Sequence, residues 1–377
     1  MKKLGLGIVG CGNIAMTYLR NAALFRGLEL RACADLLPEQ AALRAAEYGL
    51  RACAVEDLIT APDVDLVINL TIPTAHAGIT QAALDAGKHV FTEKPLGTTV
   101  EEGRALVVLA EARGCVLGSA PDTFLGAAGR LARQVIEGGA IGRIVTGTAF
   151  MMGRGMEHWH PNPAFYYQKG GGPVLDMGPY YVTMLVNLLG PARRVMAMAT
   201  SASQNRLITA EGPLQGTTFP IGTPTSLLSL IEFTSGAVIT FGASWDVFRH
   251  SNAPIELHGT TGSLRLPDPD TFGGTISVSH GGDAWEDLPT EERLYGQINW
   301  PYAAPDRANY RMLGIADLAA GLAVGRPPRA SGRLALHVLE ILEAILTSGE
   351  TGAPVPLTTT VHQPPVLEED EARAYRV

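Results

Sequence analysis

The chain has 377 residues, of which 46% are hydrophobic, so it is long enough to form two separately cored domains. Its formal net charge is −8, and its 29 Lys and Arg residues form no basic run. This charge balance argues against nucleic acid and membrane partners and favours a small-molecule ligand.

The N-terminal region and the cysteines favour a cytoplasmic protein. The apolar segment after Lys3 carries a glycine turn and no small-residue cleavage site, which is typical of a first strand rather than a signal peptide. No apolar segment is long enough to predict a membrane-spanning helix. The four cysteines form no C-x-x-C pair, and their apolar surroundings are typical of buried reduced thiols.

The first motif is an apolar strand that ends in a glycine turn and continues into a helical pattern. Gly10 lets the chain turn, Gly12 lets the backbone approach a pyrophosphate, and the small Ala15 lets the helix pack on the strand. The helix start at Asn13 and Ile14 offers backbone amides and a partial positive charge to the phosphates. The motif therefore predicts a dinucleotide cofactor.

Asp35 ends the second predicted strand, 20 positions after Ala15, where a carboxylate can accept hydrogen bonds from an adenosine ribose. The alternative is a strand-end or helix-cap residue, because Pro38 follows at a position suited to a helix start. Asp35 would repel a 2′-phosphate, and no Lys or Arg follows in residues 36–39. We therefore predict NAD rather than NADP as the cofactor.

Strands and helices alternate up to about residue 122. This alternation predicts βαβ units and a doubly wound parallel sheet, which is an α/β Rossmann domain over residues 1–122. The predicted helices are 13–25, 38–48, 78–86 and 100–113, and the predicted strands include 28–34, a short one near 52, 65–70, 89–92 and 116–119.

Two connections in this domain follow the carboxyl ends of strands, where ligands of open α/β sheets bind. Thr71, Pro73 and His76 belong to the first connection, and Glu93 and Lys94 to the second. We expect these residues to contact the cofactor. For His76, a helix-start residue that bonds local backbone is an equal alternative. For Lys94 the alternative is a solvated lysine, which the following proline disfavours.

Longer β-rich runs replace the alternation after a helix predicted at 124–137. They predict an α+β second domain over residues 123–377 with a large, mostly antiparallel open sheet. The outer face of that sheet must be covered, so we expect a homodimer or homotetramer formed through it. We also predict a core helix at 333–346 and an extended or loose acidic tail at 354–377. The predicted strands are 143–151, 195–200, 227–233, 237–245, 255–259 and 275–279.

A glycine-rich run, Gly-Gly-Gly-Pro-Val-Leu-Asp-Met-Gly, occupies residues 170–178. With the glycine turn, the loop at 71–76 and Glu93-Lys94-Pro95, in this order, it resembles the Gfo/Idh/MocA oxidoreductases. That family includes glucose–fructose oxidoreductase, inositol dehydrogenases and many sugar dehydrogenases, and the similarity extends over about residues 4–350. The resemblance implies an NAD-dependent enzyme that acts on CH–OH groups.

The resemblance also implies roles for three residues. Lys94 would lie beside the nicotinamide and the substrate, Asp176 would position substrate hydroxyls, and the residue four positions after it would exchange the proton. Most relatives have an Asp-x-Gly-x-His-x-x-Asp pattern there, whereas this chain has Tyr180 at the histidine position and Thr183 at the last position. Members similar to glucose–fructose oxidoreductase also use tyrosine, so activity need not be lost.

The chemistry of the reaction gives Tyr180 a demanding task. Oxidation of a carbinol requires a base for the O–H proton while hydride leaves for the nicotinamide. Because a tyrosine has a pKa of about 10, we expect the Lys94 ammonium and a cationic nicotinamide to lower this pKa and stabilise the phenolate. Asp176 and Tyr180 would share one helix face. The alternative for Tyr180 is a core aromatic residue, as expected for Tyr181.

His158 and His160 flank Trp159 and could share one face of a strand, but no further ligands with suitable spacing occur, so we predict no metal site. Contacts of the histidines with sugar hydroxyls, with Trp159 stacked on the sugar, are one interpretation. Ordinary loop packing is the equal alternative. Three residues are weaker candidates for the same pocket, with surface ion pairing as their default role: Arg154, Asn309 and Arg311.

The sequence thus predicts an NAD-dependent oxidoreductase that transfers hydride between nicotinamide and a hydroxyl of a sugar, sugar derivative or cyclitol. Two alternatives remain open. One is glycoside hydrolysis or epimerisation through transient oxidation, with NAD recycled in place. The other is a non-catalytic regulator that senses NAD or a sugar, against which the presence of both Lys94 and Tyr180 argues.

Overall fold

Two β-sheets organise the chain, in a computed structural model that describes residues 3–282, 284–301 and 306–377. The first sheet has six strands and the second has nine. The elements of the first half are β1 (Leu4–Val9), α1 (Asn13–Ala22), β2 (Leu28–Ala34), α2 (Pro38–Tyr48), β3 (Arg51–Ala52), α3 (Val55–Thr60), β4 (Leu66–Asn69), α4 (Pro73–Asp85), β5 (His89–Thr92), α5 (Val100–Arg113) and β6 (Leu117–Ser119).

The first sheet is parallel throughout, in the order β3-β2-β1-β4-β5-β6. Its central strands are buried on both faces, as their continuous apolar sequences require. The strand order reverses between β1 and β4, which opens a crevice at their carboxyl ends. The glycine turn, the loop at 71–76 and the loop after β5 therefore all meet at one edge.

The second half forms the nine-stranded sheet, in the order β16-β15-β14-β13-β7-β12-β11-β8-β17, and the separate hairpin β9–β10. Its elements are α6 (Ala127–Glu137), β7 (Ile144–Met152), α7 (Gly172–Leu189), β8 (Ala192–Thr200), β9 (Asn205–Leu207), β10 (Thr218–Pro220), β11 (Ser226–Phe233), β12 (Val238–Ser244), β13 (Ile255–Gly259), β14 (Gly262–Leu266), β15 (Ile276–His280), β16 (Glu286–Leu288), α8 (Leu313–Val324), α9 (Gly332–Thr351), β17 (Val355–Pro356) and α10 (Glu369–Ala374). Only the β7–β12 pair among these described neighbours is parallel, so the expected, mostly antiparallel sheet is confirmed.

Helix α9 connects the two halves of the molecule. It packs against α5 on one side and against α7 and β8 on the other. A Cβ on Gly178 of α7 would lie 2.6 Å from Leu342 of α9, so the glycine permits this close helix pair. One continuous hydrophobic cluster consequently runs through both sheets. The boundary at residue 122 stays a prediction.

Most predicted elements are present, several with the predicted ends, such as 38–48, 89–92 and 100–113. The predicted helix at 78–86 begins earlier, at Pro73, because proline favours the first helical position. Helices α3 and α8 and the β9–β10 hairpin were not predicted. Helix α8 has apolar residues around nearly its whole circumference, so it lacks the one-sided pattern that identifies a surface helix.

The segment after residue 354 is bound to the body of the protein as an extended arm rather than as a loose tail, the other alternative expected from the sequence. The Glu340 carboxylate accepts hydrogen bonds from the backbone amides of Thr358 and Thr359. Further on, the Tyr375 carbonyl accepts from the Arg26 amide at 2.8 Å, just after α1. The tail thus lacks regular structure over 357–368 but ends in α10, close to the first helix.

Among the described residues, the structure contains no helix long and apolar enough to cross a membrane.

His337 of α9 provides a test of this packing. The Ala192 amide donates to its Nε2 at 3.0 Å, and its Nδ1 lies 2.8 Å from Thr359 Oγ1. Burial lowers the pKa of His337 to about 4, below the value of about 6.5 of an exposed histidine. The unfolded chain therefore binds a proton in the window between these values that the folded chain does not. Stability should fall as pH decreases from about 6.5 to 4, by up to about 3 kcal/mol from this residue.

We expect His337→Gln, which cannot be protonated, to reduce this loss of unfolding free energy, measured by urea denaturation at several pH values. The matched control is His362→Gln, at an exposed position. An unchanged pH dependence in His337→Gln would contradict the assignment.

Candidate active site

The glycine turn joins β1 to α1 at the carboxyl edge of the parallel sheet. Gly10 has φ = +100°, and a Cβ there would lie 2.6 Å from the carbonyl carbon of Leu70, so a side chain would collide with the end of β4. Gly12 has an ordinary φ of −73°, and a Cβ on it would meet no described atom within 4 Å. Space is therefore left open in front of α1.

The start of α1 has the properties of a phosphate site. No side chain caps it among the described residues, and its first turn contains no acidic residue. Asn13 is exposed and Ile14 half-buried, so the backbone amides of this turn face accessible space at the positive end of the helix dipole. The turn thus fits the pyrophosphate of a dinucleotide.

Asp35 follows β2 and lies against the glycine turn. Its Oδ2 accepts a hydrogen bond from the Cys11 amide at 2.7 Å, and its Oδ1 accepts one from the Leu37 amide at 2.9 Å. Asp35 thus acts in part as a strand-end residue that accepts hydrogen bonds from nearby backbone amides. Each carboxylate oxygen has a second lone pair, so ribose hydroxyls can still bind there.

The loop at 71–76 is held by its own polar groups. Thr71 Oγ1 donates to Asn69 Oδ1 at 2.7 Å, and Pro73 begins α4. The buried His76 has its Nδ1 2.7 Å from the Pro95 carbonyl and its Nε2 2.9 Å from the Thr71 carbonyl. His76 therefore ties this loop to the one after β5, and both ring nitrogens face backbone.

Glu93 is buried directly after β5 and points away from solvent. Its Oε1 accepts from the Tyr18 hydroxyl at 2.7 Å, and its Oε2 accepts from the Lys94 amide at 3.0 Å. Because Tyr18 lies on α1, Glu93 connects the helix of the glycine turn to the loop that carries Lys94.

Lys94 reaches from this loop to α7. Its Nζ donates to the Asp176 carbonyl oxygen at 2.5 Å and to Asp176 Oδ1 at 3.0 Å. Pro179 lies within α7 and lacks the amide that would continue the helical bonding, which loosens the turn on which Asp176 lies. The Lys94 and Asp176 side chains remain 14% and 20% exposed, so the ion pair borders the accessible edge of the sheet.

Tyr180 lies one helical turn after Asp176 and is 6% exposed. Lys94 Nζ lies 5.2 Å from the centre of its ring, whereas the hydroxyl accepts a hydrogen bond from Arg311 Nη2 at 3.1 Å. Arg311 Nη2 also donates to Asp270 Oδ1 at 2.6 Å. The cation bound to the phenol oxygen is thus Arg311, which the sequence offered only as a weaker pocket candidate.

Burial raises the pKa of Tyr180 to about 12, although Arg311 and Lys94 act to lower it. Lys94 thus acts on this pKa in the expected direction, but in the chain alone desolvation of the phenolate outweighs both cations. Burial also acts to lower the pKa of Lys94, but Asp176, Tyr180 and Glu93 outweigh it, and that pKa is raised. At neutral pH the site holds a phenol and an ammonium group.

Asp122, after β6, is a buried carboxyl group that sequence reasoning missed. Its Oδ2 accepts from the Gly314 amide at 2.8 Å, while its Oδ1 has no hydrogen-bond partner among the described atoms. Burial raises the pKa of Asp122 to about 6, despite the favourable charge of Arg311.

The segment with the two histidines forms a 3-10 helix at Met156–His158 rather than a strand. His158 Nδ1 contacts the Gly155 carbonyl, and His160 Nδ1 accepts from the Asn162 amide at 3.1 Å. The described residues contain no group of three or more His, Cys, Asp or Glu that could hold a metal ion.

Trp159, His160 and Tyr166 form an aromatic group beside the ion pair. The His160 ring lies 5.3 Å from Trp159 and 5.5 Å from Tyr166, and Trp159 is 54% exposed. Burial and the charge of Asp176 raise the pKa of Tyr166, while Lys94 acts to lower it. The group therefore offers a partly open aromatic surface, and its Tyr166 belongs to a segment packed against α7.

A second small core holds this aromatic group in place. Arg206 of β9 donates to Glu157 Oε1 at 3.1 Å and also pairs with Asp246. The core itself consists of Tyr167, Ile208, Ala210, Phe219 and Trp245. The β9–β10 hairpin thus supports the outer wall of the site.

Of the weaker candidates, two join the site and one does not. Asn309 Oδ1 accepts from Arg311 Nη1 at 3.1 Å, so both lie behind Tyr180. Arg154 instead lies over the ring of Phe248, 5.4 Å from its centre. Asp270 and Arg311 are 41 residues apart, so no local spacing rule could pair them. The only feature of the sequence that marked Arg311 for the site was its charge beside an apolar stretch.

Comparison with known proteins agrees with this geometry. A family model described as "Oxidoreductase family, NAD-binding Rossmann fold" matches residues 4–120, and one described as "GFO/IDH/MocA C-terminal domain" matches residues 130–265. The chain is 31% identical over 265 residues to 1,5-anhydro-D-fructose reductase of Ensifer adhaerens, which covers 68% of this chain and 74% of that protein. It is 28% identical over 291 residues to levoglucosan dehydrogenase of Pseudarthrobacter phenanthrenivorans, with 70% and 73% covered.

Solved structures extend the similarity over nearly the whole chain. A levoglucosan dehydrogenase in complex with NADH has a TM-score of 0.82 at 26% identity, covering 95% of this chain and 100% of that chain. Its complex with NADH and levoglucosan has a TM-score of 0.80 at 25% identity, with the same coverage. The predicted fold class and the NAD cofactor are confirmed.

Gly12 provides a test of the cofactor site. Because a side chain there meets open space and the backbone is unstrained, Gly12→Val should leave the thermal midpoint nearly unchanged while weakening NADH binding at least about tenfold, or about 1.4 kcal/mol. Fluorescence titration with NADH measures this. Gly78→Val is the matched control, because a Cβ on Gly78 of α4 would also meet no described atom within 4 Å. Equal NADH affinity in both variants would exclude the start of α1 as the phosphate site.

Proposed function

We propose that this chain, which belongs to the Gfo/Idh/MocA family of oxidoreductases, interconverts a hydroxyl and a carbonyl group on a sugar, sugar derivative or cyclitol. The observation that carries the proposal is the position of Lys94, 3.0 Å from the Asp176 carboxylate and 5.2 Å from the centre of the Tyr180 ring. The sugar dehydrogenase and sugar reductase among its relatives support this substrate class.

Bound NAD supplies the hydride acceptor or donor. On the protein side, the turn at Gly10 and Gly12 and the first amides of α1 would hold the pyrophosphate, and Asp35 would bind the ribose in preference to a 2′-phosphate. Thr71, Pro73 and the loop after β5 would border the nicotinamide end, with His76 and Glu93 holding these loops in place.

Tyr180 would exchange the proton in place of the usual histidine. As a phenol at neutral pH, it donates to the carbonyl oxygen during reduction, and its phenolate accepts the hydroxyl proton during oxidation. The Lys94 ammonium stabilises negative charge on the Tyr180 phenolate oxygen and on the reacting oxygen of the substrate. Asp176 accepts hydrogen bonds from substrate hydroxyls. Because the pKa of Tyr180 is raised to about 12, oxidation should accelerate as pH increases above neutral.

The aromatic group would bind the sugar from the outer side. Trp159 exposes about half of its surface, and an indole face stacks well on the apolar face of a sugar ring. His158 and His160 would contribute through their second ring nitrogens. This arrangement retains the substrate role predicted for residues 158–160.

We also infer association through the open face of the nine-stranded sheet. Leu228 and Leu230 of β11 are 55% and 49% exposed, and their partners Met198 and Met196 of β8 are 79% and 47% exposed. A continuous apolar surface of this kind on a regular sheet fits a second copy of itself across a two-fold axis.

The four free cysteines agree with a reducing, cytoplasmic location.

Substitution of the two proton-handling residues tests the proposed reaction. Tyr180→Phe and Lys94→Met should each lower kcat at least about 100-fold on an active member of a sugar and polyol panel, because each removes an acid–base or charge-stabilising group. NADH affinity should change little in Tyr180→Phe. Tyr181→Phe, on the adjacent buried tyrosine, is the matched control and should retain activity. Turnover within about threefold of the parent in both variants would refute the assignment.

Introduction of a charge on the sheet face tests the association. Leu228→Glu should shift the sedimenting species towards the monomer, since a carboxylate would be buried without a partner in the interface. Val324→Glu places the same charge at a residue that is 75% exposed on α8 and should leave the assembly intact. A parent protein that sediments as a monomer would contradict the proposal directly.

A further inference from the structure

Arg311 binds the hydroxyl oxygen of Tyr180, and we propose that it positions this hydroxyl and stabilises the phenolate that forms during proton exchange. The inference rests on the proposed function of Tyr180 as the proton-exchanging residue. It assigns to Arg311 a positioning role that is separate from that of Lys94.

Arg311 is 5% exposed, and its guanidinium group is held on several sides. Its Nη2 donates to Tyr180 Oη at 3.1 Å and to Asp270 Oδ1 at 2.6 Å, and its Nη1 donates to Asn309 Oδ1 at 3.1 Å. Asp270 also accepts from Arg307 Nη1 at 3.1 Å through its other oxygen. The guanidinium plane is therefore fixed before any ligand binds.

Lys94 has a different position relative to the phenol. Its Nζ lies over the ring, 5.2 Å from the centre, and donates to the carbonyl and carboxylate oxygens of Asp176. The direct hydrogen bond to Oη comes from Arg311. Arg311 thus binds the hydroxyl oxygen of Tyr180, while Lys94 lies between the face of the Tyr180 ring and Asp176.

The direction of this hydrogen bond determines where the phenol proton points. Arginine has only donor groups and keeps its proton in proteins, so it cannot accept the proton of Tyr180. The Tyr180 O–H must therefore point away from Arg311, and its proton can leave only towards another acceptor. A substrate carbonyl oxygen in the accessible edge of the site is such an acceptor.

The proton step conserves atoms and electrons in both directions. During reduction, the carbonyl carbon gains hydride from bound NADH, the Tyr180 O–H bond breaks, and its proton joins the carbonyl oxygen. The electron pair of that bond remains on Oη as a phenolate, beside the Arg311 cation, until a solvent proton restores the phenol. During oxidation the same atoms move in reverse, and the phenolate is the base.

Other charged and titratable groups also act on Tyr180 or on its arginine partner. Those near Tyr180 are Lys94, Asp270 and Glu93, and those near Arg311 include Tyr18 and Asp122. Asp176 lies one turn earlier on the same helix. These groups remain when Arg311 alone is replaced. A shift in the pH profile of that variant is therefore due to the loss of the guanidinium group.

The test measures kcat against pH in the oxidation direction for Arg311→Gln and Arg311→Lys. In Arg311→Gln we expect the ascending limb to move at least about one pH unit higher and kcat at neutral pH to fall about tenfold or more. Arg311→Lys retains the charge and should recover part of the loss. The substrate KM should change less than kcat.

A second measurement separates positioning from simple structural damage. Arg311→Gln should cost little further activity in a Tyr180→Phe background, because its effect passes through the hydroxyl. If loss of the Arg311 contact to Asp270 prevents folding, Arg311→Gln/Asp270→Asn removes both charges and is compared with Asp270→Asn. Thermal unfolding of each variant verifies the fold.

The outcomes distinguish the two proposals. An unchanged pH profile, or the same loss of kcat with and without the Tyr180 hydroxyl, would overturn the role of Arg311 and leave that of Tyr180 intact. Full activity of Tyr180→Phe alone would overturn the role of Tyr180, and that of Arg311 with it. Little further loss from Arg311→Gln in the Tyr180→Phe background, together with a shifted limb, supports both.

Discussion

The Lys94–Asp176 ion pair is the interaction on which the site depends. It joins the carboxyl end of a parallel strand to the first turns of a helix 82 residues later, so it forms only when both halves of the chain are packed together. Lys94 is in turn held by Glu93, which binds the helix of the glycine turn through Tyr18. One chain of polar contacts thus connects the phosphate site to the proposed proton donor.

Burial and charge act against each other throughout this chain of contacts. Desolvation acts to lower the pKa of Lys94 and to raise that of Tyr180, and the surrounding charges outweigh the first effect but not the second. The result is a permanent ammonium and guanidinium pair around a neutral phenol. Such a site needs no reorganisation of its dipoles when negative charge develops on an oxygen, which is the main way in which enzymes stabilise that charge.

The supports of the site come from distant elements. The β9–β10 hairpin holds the aromatic wall through Arg206, and the residues before α8 hold Tyr180 through Arg311. The tail binds just after the C-terminal end of α1, which is the end of this helix opposite to the glycine turn. These supports leave open the space beside Gly12 in the glycine turn.

Local sequence predicted the elements and the candidate phosphate site, because these depend on short-range rules. The glycine turn at Gly10 and Gly12, the alternating strands and helices and the position of Lys94 after a buried strand follow from neighbouring residues, and the structure and relatives confirm the fold and the NAD cofactor. Only the tertiary structure decided which charges surround Tyr180 and how its pKa is shifted. Arg311 and Asp270 reach Tyr180 from distant parts of the chain, and burial determined the pKa of the phenol. Desolvation is a property of the folded surroundings, so no spacing in the sequence could reveal that Tyr180 remains protonated or which cation binds its oxygen.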